Sequence, residues 1–124
     1  MEIPANTTLT QTMRVTENDT AMRYGSGLLD VYATPAMIAF MENTAHQSVG
    51  KFLSDDETTV GIEVCVKHLK ATPLGMTVTC EAALKNIDGR KLTFTVKAWD
   101  EKGLIGEGTH ERFVVNKEKF LSKL

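Results

Sequence analysis

Hydrophobic and polar residues alternate through most of the second half of the chain. Four segments have apolar residues at nearly every second position, namely residues 59–70, 76–86, 91–100 and 104–115. A period of two residues is typical of β-strands that bury one face. Asp88-Gly89 and Glu101-Lys102-Gly103 separate the last three segments and are typical of hairpin turns. The pattern therefore predicts a four-stranded antiparallel meander.

Two of these predicted strands have irregular features. In the first, the apolar residues at positions 60, 62, 64 and 66 share a face, which His68 continues up to the Ala71-Thr72-Pro73 break. In the last, Gly106 and Gly108 interrupt the alternation. Glycine inside a strand is typical of a bulge or of a close approach by another backbone. We expect one of these in the last strand, and a core-facing histidine at the end of the first.

One long helix is predicted before the meander. Thr34-Pro35 is typical of a helix start, with the hydroxyl residue as the N-cap and proline at the first helical position. Apolar residues then recur at helical spacing to about Leu53. A Thr-rich strand in residues 7–16 precedes the helix, and residues 116–124 predict a short terminal helix capped by Asn116. A sheet folded around the apolar helix would cover it, which predicts an α+β fold.

The composition is typical of one domain, and we assign residues 1–124 to it. The 124 residues are 42% hydrophobic, which is enough for one core. Fourteen basic and sixteen acidic residues give a net charge of −2. This balance argues against nucleic acid and against an anionic membrane surface as partners.

Cysteine use and the amino-terminal segment bear on location. Cys65 and Cys80 lack CxxC spacing, and two cysteines are far fewer than a disulfide-stapled secreted domain contains. The start of the chain lacks the basic and apolar regions of a signal peptide. No apolar run approaches the roughly 18 residues of a membrane span. We therefore expect a cytoplasmic protein.

Three residues are candidates for chemistry, and each also has an ordinary explanation. Glu42 lies among apolar residues of the helix, where an ionised carboxylate needs a partner unless it reaches water at the edge of the apolar face. The helical period alone favours the edge. His68 could act as a general acid or base, or could be structural. Thr34 suits a helix cap, although a hydroxyl at a helix N-terminus could also polarise a carbonyl.

No metal or cofactor site is predicted. His46 and His110 have no cysteine or carboxylate at metal-ligand spacing, and no HExxH motif occurs. Ser26 stands between two glycines but lacks the GxSxG pattern of a nucleophile elbow. Trp99, on the strand face opposite to Phe94, is typical of an interface or surface position.

Several short motifs follow one another along the chain. They are Val31-Tyr32-Ala33-Thr34-Pro35-Ala36-Met37, Met41-Glu42, Val60-Gly61-Ile62, Lys67-His68, Ala71-Thr72-Pro73-Leu74-Gly75-Met76 and Gly106-Glu107-Gly108-Thr109-His110-Glu111-Arg112. In this order and spacing, they resemble the hot-dog thioesterases of the fluoroacetyl-CoA thioesterase type. The resemblance covers roughly residues 8–115. Several separated motifs are more specific than any one of them.

The resemblance implies a hot-dog fold, in which an antiparallel sheet wraps around the long helix. It also implies a homodimer, or a larger oligomer, with active sites at the interface. The implied substrate is an acyl-CoA, so coenzyme A enters as part of the substrate and no cofactor is expected. Residue roles follow from the matched positions and the loop before the helix: catalysis by Thr34, Glu42 and His68, and substrate binding by Gly61, Tyr24 and Leu28.

As chemistry, this set is suited to thioester hydrolysis. Glu42 would attack the thioester carbonyl or activate a water, while Thr34 orients the reacting groups. His68 would stabilise charge or carry a proton to the departing thiolate. Backbone N–H groups near Gly61 or at the helix start would hold the oxyanion.

The loop before the helix departs from the family pattern. Fluoroacetyl-CoA specialists are expected to shape the acyl pocket with aromatic residues there, whereas Tyr24 is the only aromatic residue in residues 19–29. We therefore expect a short or medium acyl-CoA as the substrate. Two alternatives stay open: a hot-dog protein that binds acyl-CoA without turnover, and a hot-dog hydratase or dehydratase.

Overall fold

The computed structural model describes residues 2–124, so Met1, the first residue of the amino-terminal segment, lies outside the described residues. In chain order the elements are β1 (Thr8–Arg14), a 3-10 turn (Glu17–Asp19), α1 (Ala21–Tyr24), α2 (Thr34–Gly50), β2 (Glu57–His68), β3 (Thr77–Asp88), β4 (Lys91–Asp100), β5 (Gly103–Asn116) and α3 (Lys117–Ser122). Within residues 2–124, none of the helices is both long and apolar enough to span a membrane.

The strands form one antiparallel sheet in the order β1-β3-β4-β5-β2. Both predicted hairpins are present and join β3 to β4 and β4 to β5. The prediction that β2 begins the same meander is wrong, because β2 pairs with β5 at the far edge. The connection from β2 to β3 is not a hairpin but is tied to the segment before α2, where Tyr32 N–H donates to the Thr72 carbonyl at 2.9 Å.

Helix α2 packs on the inner face of this sheet. The helix buries the stripe that the helical period predicts, including Met37, Met41, Ala45 and Val49. The sheet buries alternate residues of β3 and β4: Val78, Cys80, Ala82, Leu84, Leu92, Phe94, Val96 and Ala98. The predicted α+β arrangement, with a sheet around one apolar helix, is confirmed.

The helix ends agree with the sequence patterns in one case and differ in another. Asn116 caps α3 as predicted, since its side-chain oxygen accepts a hydrogen bond from Lys119 N–H at 3.0 Å. Helix α2 ends at Gly50 rather than near Leu53, because the chain turns there. The apolar spacing beyond Gly50 belongs to that turn.

The predicted apolar face of β2 is not continuous. The register between β2 and β5 shifts between Gly61 and Glu63, so Ile62 is the extra residue of a β-bulge. The prediction that Val60 and Ile62 face the core together with His68 is wrong: Val60 pairs with the exposed Phe113 on the outer face, and Ile62 is 51% exposed. The bulge instead turns Gly61 and His68 toward α2, although their odd spacing would put them on opposite faces of a regular strand.

The last strand has both a bulge and a close backbone approach at Gly106 and Gly108, whereas the sequence predicted one or the other. The register between β4 and β5 shifts between Ala98 and Trp99, which is a bulge next to Gly106. A Cβ atom at Gly106 would lie 2.7 Å from Cε of Met37, so the missing side chain lets the helix approach the sheet. Gly108 allows the same close approach by β2.

Candidate active site

Thr34 is the first residue of α2 but does not cap it. Ala33 is the N-cap residue, and no side chain caps this helix. The prediction of Thr34 as the N-cap is therefore wrong by one residue. The Thr34 hydroxyl oxygen lies 2.7 Å from Nδ1 of His68, which is the last residue of β2. We call Thr34 and His68 the hydroxyl–histidine pair.

His68 sits in a partly desolvated position. Its second ring nitrogen, Nε2, is buried and has no hydrogen-bond partner within residues 2–124. The Tyr32 ring packs edge-on against the imidazole, with 6.4 Å between centroids. Burial lowers the pKa of His68, and the nearby backbone of Lys70 offsets this only in part. The ring is therefore neutral at neutral pH and can accept a proton.

A cavity of about 360 Å³ lies beside the hydroxyl–histidine pair. Its walls include Ser26 from the segment before α2 and Lys70 from the segment after β2. The volume is within the range of small-ligand sites, which is about 300–1,000 Å³. Tyr24 and Leu28 lie outside this cavity, 48% and 86% exposed. Their assignment to substrate binding stays a prediction.

Asp100 holds the segment that follows His68. Its buried carboxylate accepts hydrogen bonds from the Thr72 hydroxyl at 2.9 Å and from Lys102 N–H at 2.8 Å, and Lys70 Nζ lies 3.1 Å away. Burial alone would raise the pKa of this carboxyl, but these hydrogen bonds outweigh burial and lower the pKa below its usual value. An ionised Asp100 therefore fixes one wall of the cavity at neutral pH.

We expect Asp100→Ala to lower the free energy of unfolding by about 2–3 kcal/mol, because the buried Thr72 hydroxyl and Lys102 N–H lose their acceptor. Since the folded-state pKa of Asp100 is lowered, its stabilisation is present at neutral pH and is lost as the pH falls through that pKa. Urea unfolding at neutral and acidic pH measures both effects. Asp30→Ala, which removes an exposed carboxylate, is the control. Equal stability of the two variants at neutral pH would contradict this role for Asp100.

Glu42 belongs to a second polar group, further along α2. Its side chain is 40% exposed, as expected at the edge of the apolar face, and Oε2 lies 3.7 Å from Nη1 of Arg112. This guanidinium is the cationic partner that a carboxylate beside a core needs. A Cβ atom at Gly61 would lie 2.9 Å from the same Oε2, so a glycine lets β2 approach the carboxylate closely.

Sequence reasoning missed two residues of this second group, Arg112 and His110. Their exposed fractions are 7% and 1%. Arg112 Nε–H donates to the Thr59 hydroxyl at 2.7 Å, and its Nη2 donates to the Thr59 carbonyl at 2.9 Å. A signal was available, because both residues follow Gly106 and Gly108 at every second position, on the inward-facing side of β5. Two basic side chains on a core-facing strand need polar partners.

The predicted catalytic residues are not all brought together in one chain. At a helical rise of about 1.5 Å per residue, Glu42 lies about 12 Å along α2 from Thr34. The hydroxyl–histidine pair is at the start of the helix, whereas Glu42 contacts Gly61 and Arg112 near its middle. One chain therefore holds two half-sites, both bordered by β2.

Residues 15–118 match the family described as fluoroacetyl-CoA-specific thioesterase. The chain belongs to this family. The fluoroacetyl-CoA thioesterase of Streptantibioticus cattleyicolor is 41% identical to it over 95 residues, which cover 77% of this chain and 68% of that protein. The resemblance inferred from the separated motifs is confirmed.

Solved structures agree with this family membership. The structure of the fluoroacetyl-CoA thioesterase FlK has a TM-score of 0.93 at 33% identity and covers 99% of this chain and 96% of that chain. A mutant of FlK was solved in complex with fluoroacetate and CoA. A hot-dog-like protein from Thermanaerovibrio acidaminovorans, 24% identical over 97% of this chain and 89% of that chain, has a TM-score of 0.88. The predicted hot-dog fold of this thioesterase family member is confirmed.

Proposed function

We propose that this thioesterase family member hydrolyses a short or medium acyl-CoA to the free acid and coenzyme A. The observation that carries the proposal is the hydroxyl–histidine pair. It consists of a neutral imidazole that is hydrogen-bonded to a threonine hydroxyl, and it lies beside a cavity at the start of α2. A helix N-terminus favours the negative charge that develops on a thioester oxygen during attack. The CoA complex of the related FlK mutant also supports an acyl-CoA as the substrate.

In this proposal Glu42 supplies the base or the nucleophile. As a base, it takes a proton from a water whose oxygen bonds to the thioester carbon. Collapse of the tetrahedral intermediate breaks the C–S bond, and the same proton neutralises the departing thiolate. As a nucleophile, the carboxylate itself bonds to that carbon, the C–S bond breaks and CoA leaves as the thiolate. Water then hydrolyses the resulting anhydride, which restores the Glu42 carboxylate, releases the free acid and supplies the proton that neutralises the thiolate. Thr34 and His68 hydrogen-bond the oxyanion or relay the proton on either route.

We also propose a homodimer, in which Glu42 of one subunit meets the hydroxyl–histidine pair of the other. Within one chain, the two half-sites are about 12 Å apart along α2, which is too far for one thioester carbon. β2 is an edge strand that borders both half-sites, through Gly61 and His68. Ile62 and Val64 on this strand are 51% and 37% exposed. Pairing of β2 with a second copy would cover this edge.

Complementation tests the shared site. We expect Glu42→Gln and His68→Ala to be inactive separately, and their mixture to recover about a quarter of the wild-type rate after reassociation, because half of the dimers are mixed and each has one intact site. A mixture as inactive as its components would show that both residues act within one chain. Light scattering provides the second readout, and a monomeric mass at micromolar concentration would contradict the dimer.

Free-thiol release from a panel of acyl-CoAs, from acetyl to medium-chain and aryl, tests the reaction itself. We expect the fastest turnover with a short or medium acyl group, because residues 19–29 include a single aromatic side chain. Saturable binding of CoA without turnover would instead favour the non-catalytic alternative. Conversion of an enoyl-CoA without thiol release would favour a hydratase.

We propose a cytoplasmic location for the reaction. Cys65 and Cys80 are both free thiols, as is usual in a reducing compartment. Burial raises the pKa of Cys80 to about 11, so this thiol is structural rather than reactive. Recovery of the active protein from an oxidising compartment would contradict this location.

A further inference from the structure

His110 lies on β5 within the polar group that includes Glu42. Its ring is 1% exposed and stacks on Phe94, with 6.3 Å between centroids. Nδ1 lies 2.7 Å from the carbonyl oxygen of Glu63 on β2. A carbonyl oxygen can only accept a hydrogen bond, so Nδ1 carries the proton. In the neutral ring, Nε2 then has no proton and is an acceptor.

The acceptor of His110 completes the hydrogen bonds of one arginine. Nε2 lies 3.2 Å from Nη1 of Arg112, and a guanidinium nitrogen can only donate. The other two nitrogens of Arg112 are held by Thr59, through its hydroxyl and its carbonyl. Nη1 is also the atom that lies 3.7 Å from Glu42 Oε2. The imidazole therefore fixes the part of the guanidinium that faces Glu42.

The surroundings of His110 favour its neutral form. Burial lowers the pKa of His110 more than the hydrogen bond to Glu63 raises it, and the charge of Arg112 lowers the pKa further. Two residues of α2 face this group. The charge of Glu42 raises the pKa of His110 in part, and His46 lies close enough to Arg112 for the guanidinium charge to lower the pKa of His46. A protonated His110 would turn a second N–H donor toward the guanidinium, and the contact with Arg112 would be lost.

We propose that His110 is a positioning residue for thioester hydrolysis: its unprotonated Nε2 accepts a hydrogen bond from Arg112 and directs the guanidinium at Glu42. This inference rests on the proposed catalytic role of Glu42. His110 acts through Arg112: from β5, the two side chains orient the carboxylate of Glu42, which extends from α2. Its effect is therefore on the rate of the chemical step rather than on the binding of CoA.

Two variants distinguish the role of the hydrogen bond at Nε2 of His110 from that of the hydrogen bond at Nδ1. In His110→Gln, the side-chain carbonyl reaches the place of Nε2 and still accepts from Arg112, whereas the shorter amide of His110→Asn reaches only the place of Nδ1. We expect His110→Asn to lower kcat on the order of 10- to 100-fold, with KM within about three-fold of the wild type, and His110→Gln to keep kcat within about three-fold. Equal kcat values for the two variants, with equal unfolding midpoints, would overturn the proposal.

Long-range ¹H–¹⁵N NMR of the wild-type imidazoles tests the tautomer without relying on activity or on the folding of a variant. We expect the Nδ1–H tautomer of His110 at neutral pH and a further lowering of its pKa in Glu42→Gln, because the Glu42 charge raises this pKa. An Nε2–H tautomer would overturn the proposal. If the Nδ1–H tautomer is present but the wild type releases no thiol from any acyl-CoA, the proposed function fails separately from the geometry of His110.

Discussion

Glu42→Gln should lower kcat for acyl-CoA hydrolysis by about 100- to 10,000-fold, the usual range for loss of a positioned base. The amide keeps the size of the side chain but can neither take a proton nor attack the thioester carbon. Binding of CoA should change little, because the substitution removes a group that acts in the chemical step. Thiol release at saturating and limiting acyl-CoA measures kcat and KM separately.

This loss of activity should be separable from loss of folding. Glu42 is 40% exposed and its Oε2 is 3.7 Å from Arg112, so water screens this long ion pair and a neutral amide should leave the fold intact. Arg112 also keeps its two hydrogen bonds to Thr59. Glu107→Gln, a matched change at an exposed position of β5, is the control and should retain the wild-type rate. A Glu42→Gln enzyme with kcat within about three-fold of the wild type would exclude Glu42 as base or nucleophile.

Gly108→Ala should be strongly destabilising, by about 3 kcal/mol or more. Adding a methyl group to a tightly packed region is costly, and the cost is largest where the surrounding structure cannot relax. A Cβ atom at this position would overlap the carbonyl oxygen of Cys65 and lie 2.6 Å from the Cα atom of Val66. Both atoms belong to the backbone of β2, so no side-chain rotation relieves the contact. β2 would have to move away from β5, together with Gly61 and His68. Urea unfolding, followed by far-UV circular dichroism, measures the effect.

Gly50→Ala is the matched control for this substitution. Gly50 is the last residue of α2, and a Cβ atom there would meet no atom within 4 Å. Alanine is favoured over glycine in helices by up to about 1 kcal/mol, so this variant should be as stable as the wild type or slightly more stable. Similar unfolding midpoints for Gly108→Ala and Gly50→Ala would mean that β2 and β5 can separate at little cost.

The elements of the fold were largely predictable from local patterns. β4 alternates strictly and β3 alternates as far as Ala82, and the predicted inward-facing residues within the two strands are buried. The turns at Asp88-Gly89 and Glu101-Lys102-Gly103 join neighbouring strands as expected. These features depend on residues close in sequence, since hairpin geometry and the strand period are local properties.

The position and the two faces of β2 were not predictable in the same way. An alternating segment does not specify which edge it will pair with, and β2 joined β5 rather than β3. The bulge at Ile62 then exchanged the two faces of the strand. A bulge is a mismatch between two strands, so it becomes visible only when the partner strand is known.

The candidate site combines both kinds of information. Thr34, Glu42 and His68 were identified by resemblance, because each residue taken alone has an ordinary explanation. The hydrogen bond between Thr34 and His68 could not be read from the sequence, since it joins a helix start to a strand end. Arg112 and His110 were not recognised as site residues because their partners lie on β2 and on α2, distant in sequence.

By itself, the sequence determined the long apolar helix, the alternating strands of an α+β fold and, through its motifs, the thioesterase family, because periodicity and motif spacing are properties of the chain alone. The tertiary structure decided that β2 is the outer strand, that Thr34 bonds His68 instead of capping α2, and that Glu42 faces Gly61 and Arg112. These contacts depend on how distant segments pack and on which face a bulge exposes, and neither is a local property of the sequence.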